Sequence, residues 1–255
     1  MKRKGIWIIP GLAAVLVVLV VLNVLVGPTR MDLGAAFRGQ GSDSVILWDI
    51  RLPRALAAAL AGGCLGLAGC LLQAVFQNPL SDPFILGVST GSSLGAVALA
   101  VLPLSWGGVF PPRSLGAWLG GLAASGLVYA VAWSPGGPSP LTLLLSGVAV
   151  SSVLGAAASM LLMGSGEVMQ DLMFWMMGGF SGASREALAP LVLALGVSLM
   201  LAWFFAREID LLSLGGETAG SLGLNAGLAR LGAVTIAALA ASSAVAAGGI
   251  IGFVG

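Results

Sequence analysis

Long apolar runs separated by short polar stretches set the pattern of this chain. The runs cover Ile6 to Val26, Pro53 to Phe76, Phe84 to Leu104, Leu115 to Trp133, Leu141 to Met163, Ala187 to Ala206 and Leu228 to Ala247. The second run, 24 residues, would reach about 36 Å as a helix at about 1.5 Å per residue. A bilayer core is about 30 Å thick. The others are close to the same length, and each is long enough to cross. The pattern predicts an all-α polytopic membrane protein with about seven transmembrane helices.

Composition agrees. Hydrophobic residues make up 58% of the 255 residues and charged residues 8%, and mean hydropathy is +1.05. Soluble domains carry about 25% charged residues. The 39 glycines fit helices packed backbone to backbone, because lipid offers no hydrophobic force to bring helices together. A net charge of +1 argues against nucleic acid as a partner. Cys64 and Cys70 lie six apart in one run, too far along a helix axis for a disulfide. They carry no metal motif, and no histidine is present.

Polar stretches set the expected topology. Met1-Lys-Arg-Lys4 precedes a first run too long for a signal peptide and without its cleavage pattern. It reads as a retained span with a cytoplasmic N-terminus. Residues 27–50 then form a polar outer connection. The turn Asn78 to Pro83 is cytoplasmic, the loop with Pro103, Pro111, Pro112 and Arg113 is outside, and Ser134 to Pro140 is an inner turn. Residues 164–186 read as a short helix lying at the outer surface or dipping into the bundle, with Val168, Leu172, Trp175 and Met176 on one face. Residues 207–225 are cytoplasmic. Positive charges are balanced, five inside and six outside, so the basic N-terminus carries the orientation.

Several stretches could carry chemistry. Arg51 and Arg54 share a helical face at the outer mouth of the second span. They either anchor the helix end by snorkelling or offer two forks to carboxylates of a soluble partner. Gln73, near the inner end of that span, reads as an interhelical hydrogen bond or as part of a pathway. In Asn78-Pro-Leu-Ser-Asp-Pro83, Pro79 stops one helix, and Asp82 can cap the next ahead of Pro83. Gly87-Val-Ser-Thr-Gly91, containing Ser89, matches the G-x-S-x-G of serine hydrolases. Gly179-Phe-Ser-Gly182 resembles the G-x-S-G of intramembrane rhomboid proteases. Neither has the histidine such a nucleophile usually needs, and close helix packing explains the first equally well. Leu211 to Leu224 reads as two short amphipathic helices. The turn lies at Gly215-Gly216 and a second break at Gly223. The connection is long beside the other inner turns, which suits docking of a soluble subunit.

Together these residues closely resemble the permease subunits of bacterial ABC importers for iron–siderophore complexes, haem and cobalamin. The matching stretches, in order, are Arg51-Leu-Pro-Arg54, Gly69 to Gln73, Asn78 to Pro83, Leu86 to Gly91, Leu145-Ser146-Gly147-Val148, Trp175 to Gly179, Leu214 to Ala219 with Leu222-Gly223, and Gly249 to Gly255. They cover nearly everything after the first span.

The resemblance implies one permease domain over residues 1–255, truncated, with three of ten spans and a Pro-His stretch beyond Gly255. It implies a multi-pass protein of the bacterial inner membrane, working as a homodimer. Its partners would be two cytoplasmic ATPase subunits, which hold the ATP and Mg, and an external substrate-binding protein. This chain would bind no cofactor. Arg51 and Arg54 would meet acidic residues of the binding protein. Leu211, Leu214, Gly215, Glu217, Ala219, Leu222 and Gly223 would seat in the ATPase. Gln73, Asn78, Gly87, Ser89, Gly91, Ser146 and Gly147 would belong to the translocation path or its packing. Relatives often carry an acidic residue where Gly216 stands and a basic one where Gly220 stands, so local charge contacts with the ATPase differ here. The expected activity is ATP-driven import by alternating access, without catalysis by this chain, which has no G-x-x-x-x-G-K-[ST]. The alternatives are an ion-coupled secondary transporter, which would place ionisable groups mid-membrane, and an intramembrane hydrolase.

Overall fold

The computed structural model describes residues 7–255 apart from 30, 40, 103–111, 136, 253 and 255. The basic cluster Lys2 to Lys4, Arg30, Pro103, Pro111, Phe253 and Gly255 therefore lie outside the described residues, as do Ile6 and Leu104, which bound two of the predicted spans. The fold is all-helical among the described residues. Six helices are long and apolar enough to cross a bilayer, and a shorter apolar one accompanies them.

The long helices follow the apolar runs. They include α1 (Ile8–Leu25), with α2 (Leu33–Phe37) and α3 (Gly41–Val45) preceding α4 (Leu52–Phe76). Next come α5 (Val88–Val101), α6 (Pro112–Val131), α7 (Pro140–Met163), α8 (Met169–Met176) and α9 (Leu188–Phe204). Two short helices, α10 (Ala206–Ser213) and α11 (Gly216–Ser221), lead to α12 (Ala226–Gly248).

Two elements depart from expectation. The polar connection over residues 27–50 is largely helical, and a continuous helix runs 36 residues from Gly41 to Phe76. Its join is a π turn over Ile46–Arg51, where Leu52 N donates to Leu47 O. Pro53 explains the π turn. It has no N–H, and its ring crowds the carbonyl four residues back. One wider turn before it removes that conflict without ending the helix.

The third span is also shorter than predicted. Asp82 Oδ1 accepts from Phe84 N at 2.8 Å and starts a 3-10 turn, Pro83–Leu86. The chain then breaks at Gly87, whose φ of 74° favours glycine. Helix α5 has 14 residues, about 21 Å at 1.5 Å each.

Small residues allow the close packing. A Cβ on Gly95 would collide with the Gly116 carbonyl, and one on Gly116 with the Gly95 carbonyl. Gly91 and Gly120 repeat this relation one turn away. Four-residue spacing on both strands of contact is the small-xxx-small seam of membrane helices. Helix α12 is the most enclosed span and buries Ala233, Ala237, Ala240, Ala241 and Ala244. Against it α4 buries Ala61, Cys64, Ala68, Leu72 and Val75. Both cysteines are free thiols, Cys64 buried and Cys70 exposed. Helix α1 buries nothing and lies at the periphery.

Candidate functional site

The two ends of the bundle carry different chemistry. At one end α4 stops at Gln77, which takes a left-handed conformation (φ 52°) just before Asn78-Pro79. Gln73 Nε2 donates to the Pro79 carbonyl at 3.2 Å, so it braces the turn after its own helix. Among the described residues Gln73 makes no hydrogen bond to another span. Asn78 Oδ1 accepts from Leu80 N at 2.9 Å. Gln77 Nε2 donates to the Leu212 carbonyl at 3.3 Å, tying this turn to α10.

The segment after α9 has the predicted form. Gly215 (φ 110°) turns the chain between α10 and α11, and Gly223 (φ 84°) breaks it again. Leu212 and Ala219 are fully buried and anchor the pair. Leu214 is 61% and Leu222 59% exposed, and Glu217 is exposed beside them. Leu211 is half-buried. Thus the candidate coupling residues divide into an inward anchor, Ala219, and an outward edge, Leu214, Glu217 and Leu222. The exposed apolar residues on this edge flank a carboxylate, which suits a protein partner of mixed apolar and basic character.

Residues assigned to the path or its packing are mostly contact points. Gly87 and Gly91 are buried against α6 and α7, with Ser151 Oγ, Val128 and Ala124 around Gly87. Gly147 lies directly under the Ile85 carbonyl, where a Cβ would collide. Ser89 and Ser146 are half-buried, and the Ser89 carbonyl accepts from Ser93 Oγ at 2.9 Å. The exposed positions of α7 include Leu145, Val148, Ser152 and Val153.

At the opposite end the two arginines part company. Arg51 is buried, 8% exposed. Its Nη1 donates to the carbonyls of Val24 (3.1 Å) and Leu25 (3.0 Å), and its Nη2 to Thr29 (2.6 Å). These are carbonyls at and beyond the end of α1, which have no helical donor of their own. Arg51 is therefore not an open fork, and the expectation that it meets a partner's carboxylate is corrected: it is buried, and it donates to carbonyls at and beyond the end of α1. Arg54 is half-exposed, with Nε on the Phe180 carbonyl (3.2 Å) and Nη2 on Ser181 (3.1 Å). Nearby, Arg185 pairs with Asp49 at 3.2 Å and donates to the Trp48 carbonyl.

Between α6, α8, α9 and α12 at this end lies a cavity of about 980 Å³, lined among others by Arg113, Trp118, Asp171, Trp175 and Glu186. In α8, Leu172 is buried and Trp175 and Met176 are half-buried, while Val168, in the 3-10 turn that precedes it, is exposed. That face is narrower than the sequence suggested. Among the described residues no cluster of metal-ligating side chains occurs.

Sequence reasoning overlooked Gln77 and Arg230. Gln77 precedes an Asn-Pro pair, where a helix must end, and that was its signal. Arg230 sits just inside the last span, where a lone cation looks like an ordinary snorkelling group.

The chain is 40% identical over 215 residues to the cobalamin import system permease protein of Halobacterium salinarum, covering 83% of this chain and 56% of that protein. It is 34% identical over 254 residues to the ferric enterobactin transport system permease protein of Escherichia coli, covering 97% and 75%. It is also 34% identical to the hemin transport system permease protein of Yersinia pestis, covering 82% and 64%. A solved structure described as an inward-facing metal-chelate type ABC transporter superposes with a TM-score of 0.77 at 28% identity, covering 94% of this chain and 75% of that one. The chain thus spans little more than half the length of the halobacterial permease. The FecCD transport family matches residues 15–255, and this chain belongs to that family.

Proposed function

We propose that this chain supplies membrane-spanning helices of an ATP-driven importer for a metal chelate, an iron–siderophore complex, haem or cobalamin. It is a conduit working by alternating access and performs no catalysis. Two copies would form the path across a bacterial inner membrane, as a single permease domain, with the N-terminus in the cytoplasm. Two ATPase subunits would bind the Gln77 end and hold the nucleotide and Mg. A substrate-binding protein would dock at the Arg54 end.

One observation carries the reading. At the Gln77 end a short two-helix segment is fixed by Leu212 and Ala219 while presenting Leu214, Glu217 and Leu222 outward. Leucines exposed beside a carboxylate at the end of a bundle, outside the apolar spans, suit a protein partner that covers them. Residues 207–225 are the coupling segment in this reading, and Leu211, Gly215 and Gly223 set its shape. At the other end Arg54, with Arg185 nearby, is proposed to meet carboxylates of the binding protein. Arg51 contributes there only by holding α1 against α4. The path runs beside α7, with Ser89 and Ser146 near it, while Gly87, Gly91 and Gly147 keep the helices close.

The test is reconstitution of the full-length permease in vesicles with its ATPase and binding protein. Uptake of one of these chelates that requires ATP supports the proposal. Uptake driven by an ion gradient without ATP contradicts it.

A further inference from the structure

Arg230 holds three elements together at the Gln77 end. It stands one turn into α12, and its Nη1 donates to the Pro138 carbonyl at 3.0 Å. Pro138 is buried in the turn that joins α6 to α7. The other guanidinium nitrogen, Nη2, lies against Gly216, the first residue of α11, so closely that a Cβ there would collide with it. Its Nε is buried without a hydrogen-bond partner among the described residues.

The surrounding contacts are equally close. Gly137 (φ 92°) has its missing Cβ directed at the Gly227 Cα, with no space between. Tyr129 Oη, from α6, donates to the Gly227 carbonyl at 2.9 Å. Gly137 and Pro138 thus rest on the first turn of α12 through backbone contact and the Arg230 bond, and the end of α6 rests on it through the tyrosine bond. Helix α11 rests on the same guanidinium from another side.

Arg230 is half-buried, and an enclosed, unmet Nε is an unfavourable way to fix a helix end, since the unmet group loses its hydration. An apolar side chain would fill the space at lower cost. Arginine supplies what an apolar group cannot: a rigid planar fork whose two ends address separate neighbours.

We infer that Arg230 is a positioning residue that links the coupling helix α11 to the turn at the head of α7. Displacement of α11 moves the guanidinium plane, and the bond to Pro138 carries that displacement to α7. The unused Nε gives the fork a second donor position, so the contact can shift without being lost. This rests on the proposed function, because α11 matters for transport only if an ATPase pushes on it.

The experiment compares the full-length parent with Arg230→Ala, Arg230→Lys and Gly216→Ala, each reconstituted with its ATPase and binding protein. The readings are ATPase recovery, ATP hydrolysed with and without binding protein, and substrate carried per ATP. The outward edge of α11 is intact in all three variants, so ATPase recovery should equal the parent's. Substrate carried per ATP should fall at least about fivefold in Arg230→Ala, the low end of ordinary coupling between sites. Stimulation by binding protein should fall with it. Lysine, whose donors all sit on one nitrogen rather than on a fork, should restore part of the loss. Gly216→Ala keeps the cation and displaces it, so it should reproduce the loss and serves if Arg230→Ala does not assemble. Parental transport per ATP in Gly216→Ala, or in Arg230→Ala, overturns the inference. A parent that moves no substrate with ATP overturns the functional reading instead.

Discussion

Arg51 and Val24 are joined across 27 residues by a bond from Nη1 to the helix-end carbonyl at 3.1 Å. With the bonds to Leu25 and Thr29 it makes Arg51 the bolt between α1 and α4. Arg54, one turn on, instead holds the Phe180 and Ser181 carbonyls and keeps part of its surface open. The pair therefore separates under mutation. Arg51→Met removes three charge-assisted bonds, each worth about 1.5–3 kcal/mol before compensation. It should lower the unfolding midpoint in detergent and free α1 to proteolysis.

Arg54→Glu loses two bonds, to the Phe180 and Ser181 carbonyls, so it should lower that midpoint less than Arg51→Met does, and it should weaken association with the binding protein. The weakening should shrink as salt rises, because an exposed charge contact is screened. Affinity measured by surface binding at low and high salt checks this. Equal affinity of variant and parent at both salts would contradict the docking assignment.

The glycine seam makes a contrast between α5 and the far side of α6. In Gly95→Ala the new methyl meets the Gly116 carbonyl, backbone that cannot swing aside. Overpacking of this kind costs about 1–3 kcal/mol, occasionally more. In Gly126→Ala the methyl meets nothing within 4 Å, and alanine in a helix interior gains about 0.5–1 kcal/mol over glycine. Thermal unfolding in detergent should move down for the first and not down for the second.

Orientation has its own test. In a background where the exposed Cys70 is replaced by serine, Glu217→Cys should react with an impermeant maleimide only from the cytoplasmic face. Arg113→Cys should react only from the opposite face. Labelling of Glu217→Cys from outside would invert the topology.

How far the sequence reached can be traced residue by residue. The long spans were readable because lipid demands a continuous apolar run, and nothing in the bundle overrides that. The segment at Gly215 and Gly223 was readable because both breaks need positive φ, and glycine marks them. Three things were hidden. Asp43, Asp49 and Pro53 look like a helix boundary, yet a π turn absorbs the proline and the helix runs on. Gly87 looked like one more packing glycine in an apolar run, and only its φ shows that it shortens the third span. Spacing placed Arg51 and Arg54 on one face. Which one turns inward depends on where the end of α1 lies, and that is a tertiary fact absent from local pattern.

The central claim is that Leu214, Glu217 and Leu222 form the edge that an ATPase subunit grips. The most direct measurement is recovery of that subunit in a detergent pull-down of the full-length protein. It compares the parent with a variant carrying Leu214→Lys and Glu217→Lys. Both residues are exposed, so the fold should survive, as an unchanged elution volume and unfolding midpoint would show. The account predicts that the parent brings down the ATPase and the variant loses it by at least about tenfold, the effect of ~1.4 kcal/mol. Equal recovery by parent and variant would contradict it.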